Sequence, residues 1–265
     1  MRKQIYWRFC GLLLFFGCWM QQVLADQDNA IPAEALPAIS IVIDDLGHRD
    51  SDRLRLADLH GAIVYSILPY TAYGKRFAED AAMLGRDVLL HLPMQATTDM
   101  DDPGSMLTLH MSQEQFHSTL QADLASVPNI IGVNNHRGSL LTRHPGHMTW
   151  LMRELKRQGL FFVDSRTTHH TVAQHVADEV GVLNMRRHVF LDHVIERDAV
   201  SRQFDTLLRQ AKRRGAAVAI GHPYEVTLDV LEERLPELAE HGIELVNISV
   251  LLQRKYLLAS LPVHR

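Results

Sequence analysis

The chain has 265 residues, a formal net charge of −4 and 46% hydrophobic side chains, enough for the core of one large α/β domain. An acidic chain without a basic stripe gives no indication of nucleic-acid binding. Both cysteines, Cys10 and Cys18, lie near the amino terminus. The rest of the chain therefore has no thiol nucleophile, and any metal site there uses oxygen and nitrogen donors.

Residues 1–25 have the pattern of a secretory signal peptide. Basic residues are followed by the apolar stretch Gly11–Met20, which is too short to span a bilayer comfortably, and Val23–Ala25 suits cleavage. The alternative is an uncleaved membrane anchor; Cys18 has a poor context for a lipoprotein site. Cleavage removes three of the 27 basic residues and leaves 24 against 31 acidic ones, a net charge of about −7. No second hydrophobic segment of spanning length follows.

A flexible lead-in is expected over 26–37, after which strand and helix patterns alternate. Strands are predicted at 39–43, 62–68, 87–91, 130–134, 160–163, 182–191 (which an interruption could divide), 216–220 and 243–248. Helices are predicted at 50–60, 74–85, 112–126, 145–158, 171–180, 197–214 and 225–241 (broken at Pro236). Ser112 and Gln115 form a capping-box pattern, and 92–111 is a long loop.

Alternating strands and helices predict a closed or nearly closed barrel of about eight parallel strands. No internal repeat, linker or shift in composition indicates a second domain, so residues 38–265 are expected to form one domain. The apolar tail Val250–Leu261 is expected to pack either on the barrel or on another subunit.

An adjacent pair of acids, Asp44 and Asp45, follows the first apolar strand. Both cannot be core residues, because an unpaired buried carboxylate is very costly. A cation would relieve their repulsion, with one carboxylate binding it and the other accepting a proton from an attacking water. The structural alternative is that Asp45 caps the next helix and Asp44 forms a salt bridge.

Histidines follow three later strands at the corresponding position: His91, His136 and His222. The carboxyl ends of barrel strands converge on one mouth, where such barrels carry their chemistry. We therefore expect these imidazoles to meet the acid pair, with His222 suited to a general acid. Each has a non-catalytic alternative: His91 as a core imidazole, His136 as a residue of a surface turn and His222 in a structural role.

Two further acids lie at strand ends. Asp164 is expected to orient an imidazole, to ligate the ion or to pair with Arg166, and Asp192 either joins the site or forms a local ion pair with His193. Motifs of serine hydrolases, P-loop proteins, dinucleotide-binding proteins and zinc metalloproteases are absent from the sequence. A phosphoesterase with two ions would need more carboxylates, so these residues favour a hydrolytic site with one ion.

Five motifs in order resemble those of the divergent polysaccharide deacetylase family, relatives of the NodB-like carbohydrate esterases. They are Ile43–Gly47, Leu90–Met94, Asn134–Ser139, Phe162–Thr168 and Gly221–Pro223. The resemblance covers about residues 38–255. It implies a distorted (β/α) barrel of seven to eight parallel strands with outer helices, exported to the periplasm of a Gram-negative bacterium.

The resemblance also implies roles for individual residues. Asp44 would be the catalytic base, Asp45 a metal ligand, and His222 the acid that protonates the leaving amine. Conventional members take two ligands from histidines a few residues apart, whereas 92–96 contains none. His91 and His136 would therefore supply the two imidazoles from different strands. The supporting or substrate-binding residues would be Asn135, Arg137, Asp164, Arg166, Asp192 and Tyr224.

Two functions are consistent with this pattern. One is a hydrolase that uses a divalent metal, with Zn²⁺ as the first choice, to remove N-acetyl groups from an envelope polysaccharide or peptidoglycan sugar. The other is a catalytically weak or inactive barrel that binds a glycan or an envelope partner protein. The missing second histidine favours the binder, and the acids with the strand-end imidazoles favour the enzyme. The sequence does not define an oligomeric state.

Overall fold

The computed structural model describes residues 36–99 and 106–260, with side chains up to residue 257. The predicted signal peptide, most of the predicted lead-in and part of the long loop lie outside these residues. Among the residues described, no helix combines the length and the apolar character needed to cross a membrane.

Strands and helices alternate through the described part of the chain. The strands are β1 (Ala38–Leu46), β2 (Ile63–Ile67), β3 (Val88–Met94), β4 (Gly132–Arg137), β5 (Phe161–Asp164), β6 (Asn184–Arg186), β7 (Val189–Phe190), β8 (Ala216–Gly221) and β9 (Glu244–Leu245). The α-helices are α1 (Asp50–Asp58), α2 (Gly74–Met83), α3 (Gln113–Ser126), α4 (Pro145–Gln158), α5 (Ala173–Val180), α6 (Arg197–Arg214), α7 (Glu225–Arg234) and α8 (Ile248–Ser260). Short 3₁₀ helices occupy Leu141–Arg143 and Pro236–Ala239.

All strand pairings in the sheet are parallel, in the order β6-β5-β4-β3-β2-β1-β8-β7, with β9 beside β1. The two ends of this sheet are consecutive in the chain. The Arg187 N–H donates to the Asp164 carbonyl, and the His188 N–H donates to the Val218 carbonyl. One interrupted strand thus links both ends, and the sheet curls into the expected distorted (β/α) barrel.

Alternate residues of β1 pack on opposite faces of the sheet, as strand geometry requires. Ile39, Ile41 and Ile43 belong to the cluster that includes the outer helices. Ala38 and Val42 belong to a second cluster that includes α8. A parallel strand covered on both faces must be apolar throughout, which explains the uninterrupted hydrophobic run before the acid pair.

The carboxyl-terminal segment differs from the sequence prediction. The pattern predicts a strand over 243–248, but β9 has two residues and α8 begins at Ile248. The buried side chains Ile248, Leu251 and Leu252 follow the i, i+3, i+4 spacing of a helix face rather than an alternation. The described part of the apolar tail therefore packs on the barrel.

Candidate active site

The Asp44–Asp45 pair lies at the carboxyl end of β1, where the strand becomes irregular. The register with β2 shifts between Ile43 and Leu46, and Asp45 has φ +59°. Adjacent residues of a regular strand point to opposite faces, so this irregularity allows both carboxylates to line one cavity. Strain of this kind is typical of functional sites. The helix-cap alternative is wrong, because Arg49 is the N-cap of α1.

Three atoms from three strands form a small triangle. Asp45 Oδ1 lies 3.1 Å from His136 Nδ1 and 3.2 Å from His91 Nε2, and the two nitrogens are 3.2 Å apart. Donors about 2.0–2.1 Å from a tetrahedral Zn²⁺ are separated by roughly 3.3 Å, which is the size of this triangle. Asp45 Oδ1 is buried, and none of its contacts within the described residues has hydrogen-bond geometry. This orphaned acceptor fits a cation site.

Asn134, which pairs with His91 in the β3–β4 register, fixes the tautomer of that imidazole. Its Nδ2 donates to Asp44 Oδ1 at 2.8 Å. Its Oδ1 accepts the Ser66 hydroxyl at 2.8 Å and lies 3.0 Å from His91 Nδ1. Because an ionised carboxylate only accepts hydrogen bonds, the amide orientation is determined and His91 Nδ1 carries a proton. In the neutral ring, Nε2 then presents its lone pair to the triangle, as in metal-binding histidines.

The carboxylates give the triangle a negative field. Burial alone would raise the pKa of the Asp45 carboxyl, but the contacts with His136 and His91 lower this pKa well below its usual range. Burial opposes a charge on His91, yet Asp44 and Asp45 raise the pKa of this imidazole above its ordinary value. A field that draws a proton to His91 also attracts a cation, so metal binding would displace that proton.

His222, at the end of β8, is held by the buried carboxylate of Asp192. Asp192 Oδ1 lies 3.0 Å from His222 Nδ1, while Oδ2 accepts the His222 N–H at 2.6 Å and the Thr227 hydroxyl at 2.9 Å. His222 Nε2 lies 3.7 Å from Asp45 Oδ2. Burial lowers the pKa of His222, but the hydrogen bond and charge of Asp192 raise it overall. A protonated imidazole on a cavity wall suits a general acid.

The acid pair and the three imidazoles line one cavity of about 390 Å³, a size typical of small-ligand sites. The structure therefore brings together the groups that the sequence places at separate strand ends. Further residues on the cavity wall include Asn135, Arg137, Arg166, Arg187, Phe190 and His193.

Asn135 and Arg137 tie the loops of the cavity wall together. Asn135 Oδ1 accepts the Ser165 N–H at 2.9 Å, and its Nδ2 donates to the Arg137 carbonyl at 2.8 Å. Arg137 has φ +55° and forms an ion pair with Asp99. These two residues thus fix the shape of the wall, beside His136.

Asp164 shapes a loop instead of facing the cavity. Its Oδ1 accepts the Arg166 N–H at 2.8 Å and its Oδ2 accepts the Thr171 hydroxyl at 3.0 Å. Asp164 does pair with Arg166, as one expectation had it, but through the Arg166 backbone N–H. Among the described residues it bonds no imidazole, and it does not line the cavity, so the expectations that it orients an imidazole or ligates the ion are not met. Asp192 pairs with His222 and not with His193. The neighbouring Tyr224 lies outside the cavity lining, with its ring centroid 5.5 Å from that of His222.

Sequence reasoning missed three contributors: Asn134, Ser66 and Arg187. Asn134 belongs to the motif Asn134–Ser139, but its link to His91 depends on the register between β3 and β4. Arg187 comes two residues before β7, and nothing in the local pattern indicates that it lines the cavity. Alternation along β4 is the one signal that could have identified Asn134 as an inward-facing residue.

The fold and site together define a parallel (β/α) barrel with a carboxylate–imidazole cluster at the carboxyl ends of its strands. The model of the divergent polysaccharide deacetylase family matches residues 41–252, and the chain belongs to this family.

Known proteins resemble the chain in sequence and in fold. An uncharacterized protein of Haemophilus influenzae is 36% identical over 224 residues, 84% of this chain and 80% of that protein. The crystal structure of uncharacterized protein ATU2773 from Agrobacterium tumefaciens has a TM-score of 0.79 at 21% identity, covering 83% of this chain and 90% of that one. The catalytic domain of peptidoglycan N-acetylglucosamine deacetylase from Eubacterium rectale has a TM-score of 0.50 at 14% identity, covering 81% and 90%. The two structural likenesses show the fold alone.

Proposed function

We propose that the chain is an exported, metal-dependent hydrolase that removes N-acetyl groups from an envelope polysaccharide or a peptidoglycan sugar in the Gram-negative periplasm. The observation that carries this proposal is the buried, orphaned Asp45 Oδ1 beside two imidazole nitrogens. Membership of the deacetylase family supports a carbohydrate substrate. The fold shared with a domain named as a peptidoglycan N-acetylglucosamine deacetylase supports the same class, and the pattern over 1–25 supports export.

Asp45, His91 and His136 would hold the metal ion. One carboxylate oxygen and two imidazole nitrogens form a donor set typical of zinc. When bound, the ion would polarise the acetamide carbonyl and lower the pKa of a water molecule in the site. Conventional members have a second histidine a few residues after the first, and this chain has none at that spacing after His91. His136 from the next strand would take its place, with Nδ1 3.2 Å from His91 Nε2. This substitution removes the main reason to prefer a non-catalytic barrel.

We assign the role of the base to Asp44. Its Oδ1 accepts the Asn134 amide, and its Oδ2 lies 3.6 Å from His91 Nε2, beside the proposed ligand atoms. Asp44 accepts one proton from the attacking water while the new C–O bond forms at the acetamide carbon. The amide hydrogen bond keeps this carboxylate oriented toward the site during the transfer.

His222 completes the reaction as the acid. Its Nε2 gives a proton to the amide nitrogen as the C–N bond breaks, so that acetic acid and a free amine leave, and the acid then releases its remaining proton to solvent to become acetate. Asp192 stabilises the imidazolium before transfer and holds the ring in place through Nδ1. One proton has then entered Asp44 and one has left His222, so exchange with solvent resets both groups.

Metal content and acetate release test this function. The purified mature chain should contain close to one divalent ion and release acetate from N-acetylglucosamine oligomers or peptidoglycan. Asp44→Asn should abolish release while the ion and the fold are kept, and His136→Ala should lose the ion. His175→Ala is the matched control, because this exposed α5 histidine should be replaceable without effect on either measurement.

Two outcomes would overturn the proposal. Metal-free protein that binds glycan fragments equally well before and after Asp44→Asn would indicate a glycan-binding barrel. Protein that holds an ion but releases acetate from neither substrate would contradict N-deacetylation. Export is tested separately, by the amino-terminal sequence of the protein recovered from the periplasmic fraction.

A further inference from the structure

Two arginines on the cavity wall, Arg166 and Arg187, have no role in the proposed N-deacetylation. Arg166 follows β5 and Arg187 follows β6, two strands that pair in parallel, so the arginines come from adjacent strand ends. Both line the cavity that contains Asp44 and His222. The cavity therefore has a cationic side in addition to its catalytic acids.

The Arg187 guanidinium is fixed by the protein itself. Its Nε donates to the Ser165 carbonyl at 2.6 Å and its Nη2 donates to the Arg166 carbonyl at 2.8 Å. The group also lies over the Phe190 ring, 4.7 Å from the centroid. A guanidinium has five N–H donors, so these two bonds leave donors available for a ligand. A cation held in this way loses little side-chain entropy on binding.

Neither arginine has a counter-ion in the described part of the chain, where no carboxylate oxygen lies within 4.0 Å of either guanidinium. Asp164, the acid two residues before Arg166, is engaged by a backbone N–H and by Thr171. The third arginine of the wall behaves differently, since Arg137 is ion-paired with Asp99. Arg166 and Arg187 thus differ from Arg137 in lacking a described carboxylate within ion-pair distance.

The two charges also act on each other. Burial lowers the pKa of Arg187, the charge of Arg166 acts in the same direction, and Asp44 and Asp164 oppose both effects. An anion placed between two like charges in a partly buried cavity relieves their repulsion. Guanidinium is the protein group whose planar fork matches carboxylate and phosphate oxygens.

We propose that Arg166 and Arg187 bind an anionic substituent, a carboxylate or a phosphate, on the glycan that occupies the cavity. This inference rests on the proposed function and narrows the substrate from any N-acetylated sugar to an acidic one. Because both arginines share the cavity with Asp44 and His222, the anion is on the sugar that loses its acetyl group or on the sugar bonded to it.

Matched disaccharides test this inference by calorimetric titration of the full chain. The probes are neutral N,N′-diacetylchitobiose, its 6-phosphorylated form, and N-acetylglucosaminyl-N-acetylmuramic acid, which adds a lactyl carboxylate. Titrations use metal-depleted protein, so that no substrate is consumed, and are repeated with Zn²⁺. At least one acidic probe should bind about 10-fold or more tightly than the neutral one, because a charge-assisted bond is stronger than a neutral one. This preference should weaken as salt is added.

Variants of Arg166 decide whether this residue carries the preference. Arg166→Gln should lose most of the preference for acidic probes, the remainder being due to Arg187, and Arg166→Lys, which keeps the charge, should retain more of it than Arg166→Gln does. Arg153→Gln is the matched control, because Arg153 is exposed on α4 and forms no ion pair within the described residues. It should behave as the unmodified chain does.

The possible failures are distinguishable. Equal affinity of the unmodified chain for all probes, or a preference that is undiminished in Arg166→Gln, overturns this inference and leaves the N-deacetylase proposal standing. A preference seen only with Zn²⁺ places the anion on the metal and overturns the inference as well. Failure of every disaccharide to bind, with or without Zn²⁺, overturns this inference, whereas the N-deacetylase proposal is decided separately by acetate release from oligomers or peptidoglycan.

Discussion

Replacing Asp192 by asparagine should shift the pH dependence of catalysis rather than lower the rate uniformly. One carboxylate oxygen accepts the His222 N–H and the Thr227 hydroxyl, and the other lies 3.0 Å from His222 Nδ1. The side-chain oxygen of asparagine can still accept the His222 N–H and the Thr227 hydroxyl. The NH₂ group of the asparagine then points toward His222 Nδ1. Nδ1 must then accept a hydrogen bond, and the ring is held neutral with its proton on Nε2.

The size of the shift follows from the hydrogen bond that is lost. A bond to a charged group contributes about 1.5–3 kcal/mol, and one pKa unit corresponds to about 1.4 kcal/mol. The pKa of His222, which is raised in the native chain, should therefore fall by about one to two units. Because the acid must be protonated, activity declines as the pH rises through this pKa. The basic limb of the pH profile of kcat/KM should therefore move to lower pH by about one to two units. At a given pH on the alkaline side, kcat/KM should fall about 10–100-fold.

Acetate release by the metal-loaded chain, measured over roughly pH 5 to 9, reports this limb directly. Asp198→Asn is the matched control, because Asp198 is an exposed acid in the first turn of α6 and should leave the profile unchanged. Circular dichroism establishes that each variant is folded. A basic limb that stays in place, or an equal loss at every pH, would refute this role for Asp192.

Three further substitutions test the surrounding structure. Asn134→Ala should weaken metal binding about 10–100-fold, because it removes the partner that orients His91; competition with a chelator measures this, and unchanged affinity would contradict it. Burial raises the pKa of Asp123 to about 6 from 3.8, so the native state keeps a proton that the unfolded chain releases, and stability falls as the pH rises between these values. Asp123→Asn should therefore stabilise the fold by up to about 3 kcal/mol near pH 7.5 and hardly at all near pH 4, as urea unfolding at both pH values would show; an equal effect at both would argue against it. Gly47→Ala should destabilise by about 2 kcal/mol or more, since φ is +113° and the new Cβ would lie 2.0 Å from Thr71 Oγ1; a near-native melting temperature would exclude that clash.

Local signals were sufficient for most of the barrel. The capping box predicted from Ser112 and Gln115 is present at the start of α3, because both of its hydrogen bonds involve residues three positions apart. The convergence of Asp45, His91 and His136 also followed from sequence, since the carboxyl ends of parallel strands share one rim. What could not follow was any contact that depends on long-range register.

Asn134 illustrates that limit. Its amide joins residues from β1, β2 and β3 through Asp44, Ser66 and His91, and no local pattern determines which of these side chains meet. The prediction of a strand over 243–248, where α8 begins, was wrong for a different reason. Its short apolar segment is compatible with a strand or a buried helix, and the barrel end that it covers decides between them.

The position of β1 has a consequence for how the protein is made. This strand is synthesised first among the elements that the structure describes, yet it pairs with β8 and β9, and its inner face packs with α8. Contacts between such distant segments form slowly, and a nascent chain lacks these partners until residues 216–252 have emerged from the ribosome. Late closure of the barrel would suit the export that we propose, because a translocation channel threads extended polypeptide.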